Sequence, residues 1–280
     1  MLYVFREEKH MKKTSIPRER IFRFCESYGR KMKLDRVIAI RNNKTVYRDG
    51  DRCIKVFNSE YTKADVLNEA LNQARIEETG LNIPKILEVT MIDGKWAIVS
   101  EFIKGQTLSQ LIKECPEKKS EYIDLLIDLQ SEIHSKSCPL LNRLKDNLRR
   151  KIADTDLDAT VRYDLHNRLG SMPRHNKVCH GDLIPSNIII DEQGVPYILD
   201  WSHATRGNAS ADAARTFLLF WLNGDISGAQ IYLDKFCEKN NISKQYIQQW
   251  MPIVAAAELV RCNGNEREFL MSWIRSAANE

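Results

Sequence analysis

The residue types best suited to chemistry lie in Cys179-His180-Gly181-Asp182-Leu183-Ile184-Pro185-Ser186-Asn187 and, one short apolar run and a turn later, in Ile198-Leu199-Asp200-Trp201. Asp182, Asn187 and Asp200 place two carboxylates and a carboxamide at the ends of apolar segments, where rigid strands fix polar side chains at their mouths. The turn Asp191-Glu192-Gln193-Gly194 joins two strand-like runs, so Asn187 and Asp200 can converge on one point. Oxygen ligands of this kind suit magnesium, which keeps several waters and takes its other ligands from substrate phosphates. Asp182, on a loop five residues before Asn187, is placed to accept a hydroxyl proton as a general base.

Two regions of different grammar must carry this island. The first is strand-rich: Val37 to Arg41, Thr45 to Arg48, the turn Asp49-Gly50 and a return through Cys53-Ile54-Lys55-Val56-Phe57. Thr62 caps a helix in which Ala64, Leu67, Leu71 and Ala74 recur at helical spacing, and Gly80 ends it. Ile83 to Val89 and Trp96 to Phe102 add two strands around Asp93-Gly94. After Gly105 the pattern turns helical, with Ser120 to His134 strongly amphipathic and further helices over Leu140 to Ile152, Asp156 to Leu169, Asp212 to Leu222, Ala229 to Asn240, Ser243 to Val260 and Glu266 to Ala278. Pro17 to Arg30 reads as a helix at the start.

His180-Gly181-Asp182, an Asn five positions on, and Asp200-Trp201 together resemble the protein-kinase-like fold, in its aminoglycoside phosphotransferase and choline kinase branch. Protein kinases place Arg between the His and the Asp and follow the metal aspartate with Phe-Gly, so Gly181 and Trp201 favour the small-molecule branch. The resemblance implies an α+β, bilobal architecture with a small antiparallel N-lobe holding one helix. A larger, mainly helical C-lobe then carries a short catalytic β-hairpin. Its expected divisions are a basic helical extension over 1–34, a nucleotide clamp over 35–103 and a catalytic lobe over 104–280. It further implies ATP (with GTP as the alternative nucleotide) and magnesium, Asp182 as catalytic base, and Asn187 and Asp200 as metal ligands. His180 then anchors the loop by hydrogen bonds, and Asp212 braces it from a helix N-terminus.

In the first lobe the resemblance assigns Lys55 to the phosphates and a helix glutamate to hold it; Glu69 is the choice over Glu77 and Glu78. Backbone groups near Glu101 and Ile103 would meet the adenine. One departure stands out. The turn Ile40-Arg41-Asn42-Asn43-Lys44-Thr45 has no glycine, whereas kinases drape a glycine-rich loop over the phosphates. Asn42-Asn43 tolerate left-handed backbone, and side chains of Arg41, Lys44 or Thr45 are the candidates to compensate, with Thr45 counted among the nucleotide-binding residues.

The resemblance also implies a small-molecule hydroxyl as acceptor: an aminoglycoside, an amino alcohol or a sugar. Trp201 and His203 are its expected flanks, and Asp154, Asp156, Asp158 and Asp164 offer an acidic patch that also reads as a solvated helix start. A non-catalytic nucleotide-binding or partner-docking module is the alternative class, motivated by the glycine-free turn and the basic first helix.

Composition limits the field. A chain of 280 residues accommodates about two folded units at roughly 150 residues each. Hydrophobic residues at 43% and charged residues at 29% exclude disordered and fibrous classes. No apolar run reaches the ~18 residues of a membrane span, and Met1 to Lys13 lacks a secretory pattern, so a cytoplasmic protein is expected. Seven scattered cysteines without a CxxC pair argue for buried thiols rather than disulfides or zinc. Residues 1–36 hold 11 basic against 5 acidic side chains, but no aromatic ladder accompanies them, which disfavours nucleic acid as a partner. The sequence sets no oligomeric state.

Overall fold

Alternation of apolar side chains with turn residues builds the first half of the molecule. In the computed structural model, which describes residues 32, 34, 36–41, 43–262 and 264–276, five antiparallel strands form one sheet. They are β1 (Arg36–Ile40), β2 (Lys44–Asp49), β3 (Arg52–Phe57), β4 (Ile86–Ile92) and β5 (Lys95–Glu101), in the order β1-β2-β3-β5-β4. The expected helix over Pro17 to Arg30 lies outside the described residues. Gly50 turns β2 into β3 with φ 62°, and Asp93 and Gly94, both at positive φ, close β4 onto β5 as a type I′ turn requires. Strand β4 starts three residues later than expected. Pro84 has no N–H to give a ladder, and its carbonyl accepts from Gln73 Nε2 instead.

Helix α1 (Lys63–Glu77) lies between β3 and β4 in sequence and begins at a capping box between Thr62 and Asp65. Its buried stripe is Val66, Glu69, Ala70, Gln73 and Ile76, while Leu67 and Leu71 are exposed. The apolar spacing that marks the helix thus lies on its exposed face, and the opposite face brings Glu69 to the sheet. Ile54, Val56, Ala97 and Val99 fill one side of that sheet, and Phe57, Val66, Ala70 and Ile98 the side under α1. The strand period of two produces this division.

Beyond Glu101 the chain is mainly helical. Its helices are α2 (Leu108–Glu114), α3 (Lys119–Ser135), α4 (Leu144–Ala153), α5 (Ala159–Ser171), α6 (Ala209–Leu222), α7 (Ile226–Asn240), α8 (Lys244–Gln248), α9 (Met251–Glu258) and α10 (Gly264–Ser276). The single helix expected over Ser243 to Val260 is two. Pro252, in the first turn of α9, cannot donate to the preceding turn, and the chain bends at Gln249-Trp250. Two small sheets interrupt the helices: β6 (Gly105–Thr107), β8 (Ile188–Asp191) and β9 (Pro196–Ile198), and a pair of β7 (Lys177–Cys179) with β10 (Thr205–Gly207). A Cβ on Gly105 would sit 2.0 Å from the Ile190 carbonyl oxygen, so only glycine lets β6 lie this close to β8. The main apolar core runs from α3 through α6, α7 and α9, with Trp201, Tyr232, Phe236 and Trp250 fully buried within it. No helix among the described residues is long and apolar enough to cross a membrane.

Candidate active site

The loop from β7 to β8 is held by its own backbone and by one buried carboxylate. Gly181 adopts φ 77°, and a Cβ there would meet the His203 carbonyl oxygen at 2.7 Å. Asp212, in the first turn of α6, accepts from Gly181 N at 2.7 Å and His180 N at 3.3 Å, and its Oδ2 also meets His134 Nε2 at 2.9 Å and Gln130 Nε2 at 3.2 Å. Burial alone would raise its pKa, but the His134 contact and the loop amides hold the carboxyl below the ordinary carboxylate range. His180 is fully buried. Its Nδ1 accepts from Asp182 N at 3.1 Å, which assigns the ring proton to Nε2, donated to the Leu199 carbonyl at 2.9 Å. Burial depresses its pKa and keeps the ring neutral, as an anchor rather than an acid.

Asp182 and Asn187 face each other across this loop. Asn187 Nδ2 donates to the Asp182 carbonyl at 2.8 Å and to its Oδ2 at 3.1 Å. Asp182 Oδ1 and Asn187 Oδ1 accept no hydrogen bond among the described residues. Burial raises the Asp182 pKa, and the charge of Arg215 opposes that rise. Asp200 ends β9 in the left-handed region at φ 60°, a conformation that costs an Asp about 1–3 kcal/mol. That turn swings its carboxylate away from the hairpin and toward the five-stranded sheet.

Two lysines await it there. Lys55 Nζ donates to Glu69 Oε1 at 3.0 Å and lies 3.9 Å from Asp200 Oδ1. Lys44 Nζ donates to Glu69 Oε1 at 3.3 Å and to Asp200 Oδ2 at 3.1 Å. Glu69 is 3% exposed and Lys44 11%, so two ammonium groups and two carboxylates form a compact, largely buried quartet. Burial works against the charge of Asp200 and of Lys55. Their mutual attraction overcomes it, driving the Asp200 carboxyl well below, and the Lys55 ammonium well above, their ordinary ranges. Glu69 is thus brought to Lys55, while Glu77 accepts from the Ile86 amide and Glu78 caps the helix end.

An apolar cavity of about 220 Å³ runs behind the quartet, among Ile38, Val46, Cys53, Ile103, Ile189 and Leu199. Glu101 and Ile103 line it, and the Ile103 amide and carbonyl enter no backbone hydrogen bond among the described residues. Lys44 and Val46 face this cavity, whereas Thr45 has the opposite parity on β2 and does not line it. Of the candidates from this turn, Arg41 and Lys44 line the cavity and Thr45 does not. Through Lys44, Asn187 and Asp200 the cavity joins a wider one of about 950 Å³ that contains Asp182, His203 and Arg215.

On the acceptor side the expectation for Trp201 is corrected, and the acidic patch resolves to its helix-start reading. Trp201 is 0% exposed; its indole donates to the Ile198 carbonyl and its ring packs on His180 at 4.5 Å, because the turn after Asp200 drives it into the core. The acidic patch disperses: Asp156 pairs with Arg267, Asp158 caps α5, and none of Asp154, Asp156, Asp158 and Asp164 lines either large cavity. Arg215 is the residue the motif concealed. It stands three positions after Asp212 on α6, on the same helix face, and pairs with Glu258 of α9.

Residues 37–241 match the model of the phosphotransferase enzyme family, well over half of the sequence. The chain belongs to that family. Among solved structures it is similar to the apo form of a thermostable mutant of aminoglycoside phosphotransferase APH(4)-Ia, at 15% identity and TM-score 0.66 over 91% of this chain and 97% of that one. The same enzyme in ternary complex with AMP-PNP and hygromycin B matches at 14% identity and TM-score 0.63, covering 87% and 92%. Choline kinase LicA from Streptococcus pneumoniae matches at 16% identity and TM-score 0.58, covering 92% and 98%. These likenesses show the bilobal, protein-kinase-like fold that the motif implies. No curated protein sequence matches the chain.

Proposed function

We propose that this member of the phosphotransferase enzyme family transfers the γ-phosphoryl group of ATP, with magnesium, to a hydroxyl of a small molecule. The observation that carries the reading is the meeting of the Lys44–Lys55–Glu69–Asp200 quartet with the Asp182–Asn187 pair where two cavities join. Residues 35–103 form the nucleotide clamp and residues 104–280 the catalytic lobe.

The residues fit magnesium. Asp200 is held fully ionised, and Asn187 keeps an oxygen uncommitted beside it, the hard-oxygen set this cation takes. When bound, magnesium neutralises charge on the phosphates and aligns them. Adenine fits the apolar cavity, with the backbone of Glu101 and Ile103 as its polar edge. Lys55, fixed by Glu69, and Lys44, in place of glycine amides, hold the phosphate tail. The acceptor hydroxyl lies against Asp182 Oδ1. Its oxygen forms the new bond to the γ-phosphorus as the bond to the β–γ bridging oxygen breaks, and its proton passes to Asp182. Asn187 aims that carboxylate, and Asp212 with His180 keeps the loop in register.

ADP release in the presence of ATP, magnesium and a hydroxyl acceptor tests this. The wild-type chain should turn over, and Asp182→Ala should lower kcat about a hundredfold or more. Equal turnover by the two chains would remove Asp182 from the mechanism.

A further inference from the structure

The chemistry of the acceptor can be read from the walls of the wide cavity, an inference that rests on the phosphotransferase reading. A cationic acceptor needs carboxylates able to receive its charge, or open aromatic faces. The cavity's carboxylates are all engaged. Asp225 pairs with Lys119, and Glu258 takes both Arg215 and, at 3.7 Å, Lys151. Asp182 and Asp200 belong to the transfer machinery. Of the two aromatic side chains on this wall, Phe220 is 3% exposed and stacks on Tyr232, and half-buried Tyr61 gives one face of its ring to Phe57.

Among the described residues two of the cavity's cations, Arg41 and Lys113, are uncommitted, and Arg215 is only partly engaged. Arg215 gives Nη1 to Glu258, while its Nε is buried without a hydrogen-bond partner. Arg41 after β1 and Lys113 on α2 line the mouth, and their side chains make no hydrogen bond or ion pair among the described residues. Arg215 also lines the adjoining cavity of about 590 Å³, where Arg150 and Lys151 stand beside it. Three separate elements thus turn positive groups toward the space that opens onto Asp182. A guanidinium offers a planar fork matched to carboxylate and phosphate oxygens.

We infer that the acceptor is a small hydroxyl compound that itself carries an anionic group, a carboxylate or a phosphate ester, held by Arg215 and drawn in past Arg41 and Lys113. The hydroxyl at one end of such a molecule reaches Asp182 while the anionic end meets the cationic wall. Lys113 acts as a positioning residue at the mouth: it changes capture and leaves the transfer step alone.

The full chain is assayed for ADP release with ATP and magnesium against matched probes. These are a neutral polyol, its sugar acid, its phosphate monoester and its amino derivative, together with an aminoglycoside and choline. The expected result is a kcat/KM at least tenfold higher for the sugar acid or the phosphate monoester than for the neutral and amino members; which of the two leads identifies the anion. Lys113→Gln, a change at an exposed side chain with no partner to lose, should raise the acceptor KM about threefold to tenfold with kcat held. Arg215→Lys should retain more of the anion preference than Arg215→Gln. Faster turnover of the amino derivative, the aminoglycoside or choline overturns the inference, and so do equal rates across the panel. No response to any probe, in a chain whose melting temperature still rises with ATP–magnesium, overturns it too and leaves the nucleotide site standing. No response to ATP–magnesium removes the phosphotransferase reading along with it.

Discussion

Replacing Lys44 by Met removes one of the two ammonium groups at the candidate site and keeps most of the side-chain length. Lys44 Nζ lies 3.1 Å from Asp200 Oδ2 and 3.3 Å from Glu69 Oε1. At an effective dielectric of about 20, the first contact alone has a gross attraction of about 5 kcal/mol. Much of that is offset by desolvation, because the side chain is largely buried, and a hydrogen bond to a charged group nets about 1.5–3 kcal/mol. In the unliganded chain the loss leaves one ammonium between two carboxylates, so Lys44→Met should melt lower, by roughly 2–4 °C per kcal/mol for a chain of this size. With nucleotide bound, the same ammonium is proposed to serve the phosphates, and its loss should raise KM for ATP about 10- to 150-fold, at about 1.4 kcal/mol per factor of ten. Magnesium titrated alone should bind the variant more tightly than the wild type, since Lys44 no longer competes for Asp200. Calorimetric titration of magnesium and of AMP-PNP, beside steady-state kinetics, reads all three effects. A variant with wild-type KM for ATP and unchanged affinity for magnesium would refute the reasoning and reduce Lys44 to a structural ion pair.

Further outcomes follow from neighbouring contacts. Glu69→Gln should lower kcat/KM for ATP by about tenfold or more, because both lysines lose the carboxylate that sets their positions, and kinetics on the folded variant check it. Asp182 must be ionised to take a proton and its pKa is raised by burial, so kcat/KM should fall as pH drops, beginning at a higher pH than an ordinary carboxylate would give; a pH–rate profile reads the midpoint. Asp212 is depressed below its unfolded value, so its contribution to stability is present above that unfolded value and is lost as pH falls through the folded one. Asp212→Asn should cost about 3 kcal/mol near neutral pH, and urea denaturation at pH 7 and at acid pH should show the gap to wild type closing as the medium becomes acid.

How much of this was legible depended on the kind of signal. Asp182, Asn187 and Asp200 could be read because polar residues interrupt short apolar runs at fixed intervals, and a hairpin between the last two leaves little freedom in where they point. Lys55 and Glu69 came from the family resemblance, which implies a lysine on that strand and a glutamate on the next helix; spacing alone left Glu77 and Glu78 open. Lys44 was weighed with its neighbours but not singled out. Parity on β2 decides between it and Thr45, and the register of a strand end is set by its pairing with β3, which the sequence does not print. Trp201 was misplaced for a related reason: an aromatic after Asp200 can turn inward or outward, and the left-handed backbone at Asp200 sends it inward. Strands β6 and β10 span three residues each, too few to display a period of two. The cations of the wide cavity come from α2, α6 and the turn before β2, and only the folded chain brings them around one space.

The central claim is a magnesium–nucleotide site built on Asp200 beside the base Asp182. Calorimetric titration of AMP-PNP into the wild-type chain and into Asp200→Asn, each with and without magnesium, tests it most directly. The account predicts binding to the wild type that tightens at least tenfold with magnesium, and loss of that magnesium dependence in Asp200→Asn. Magnesium enhancement of the same size in both chains would contradict it.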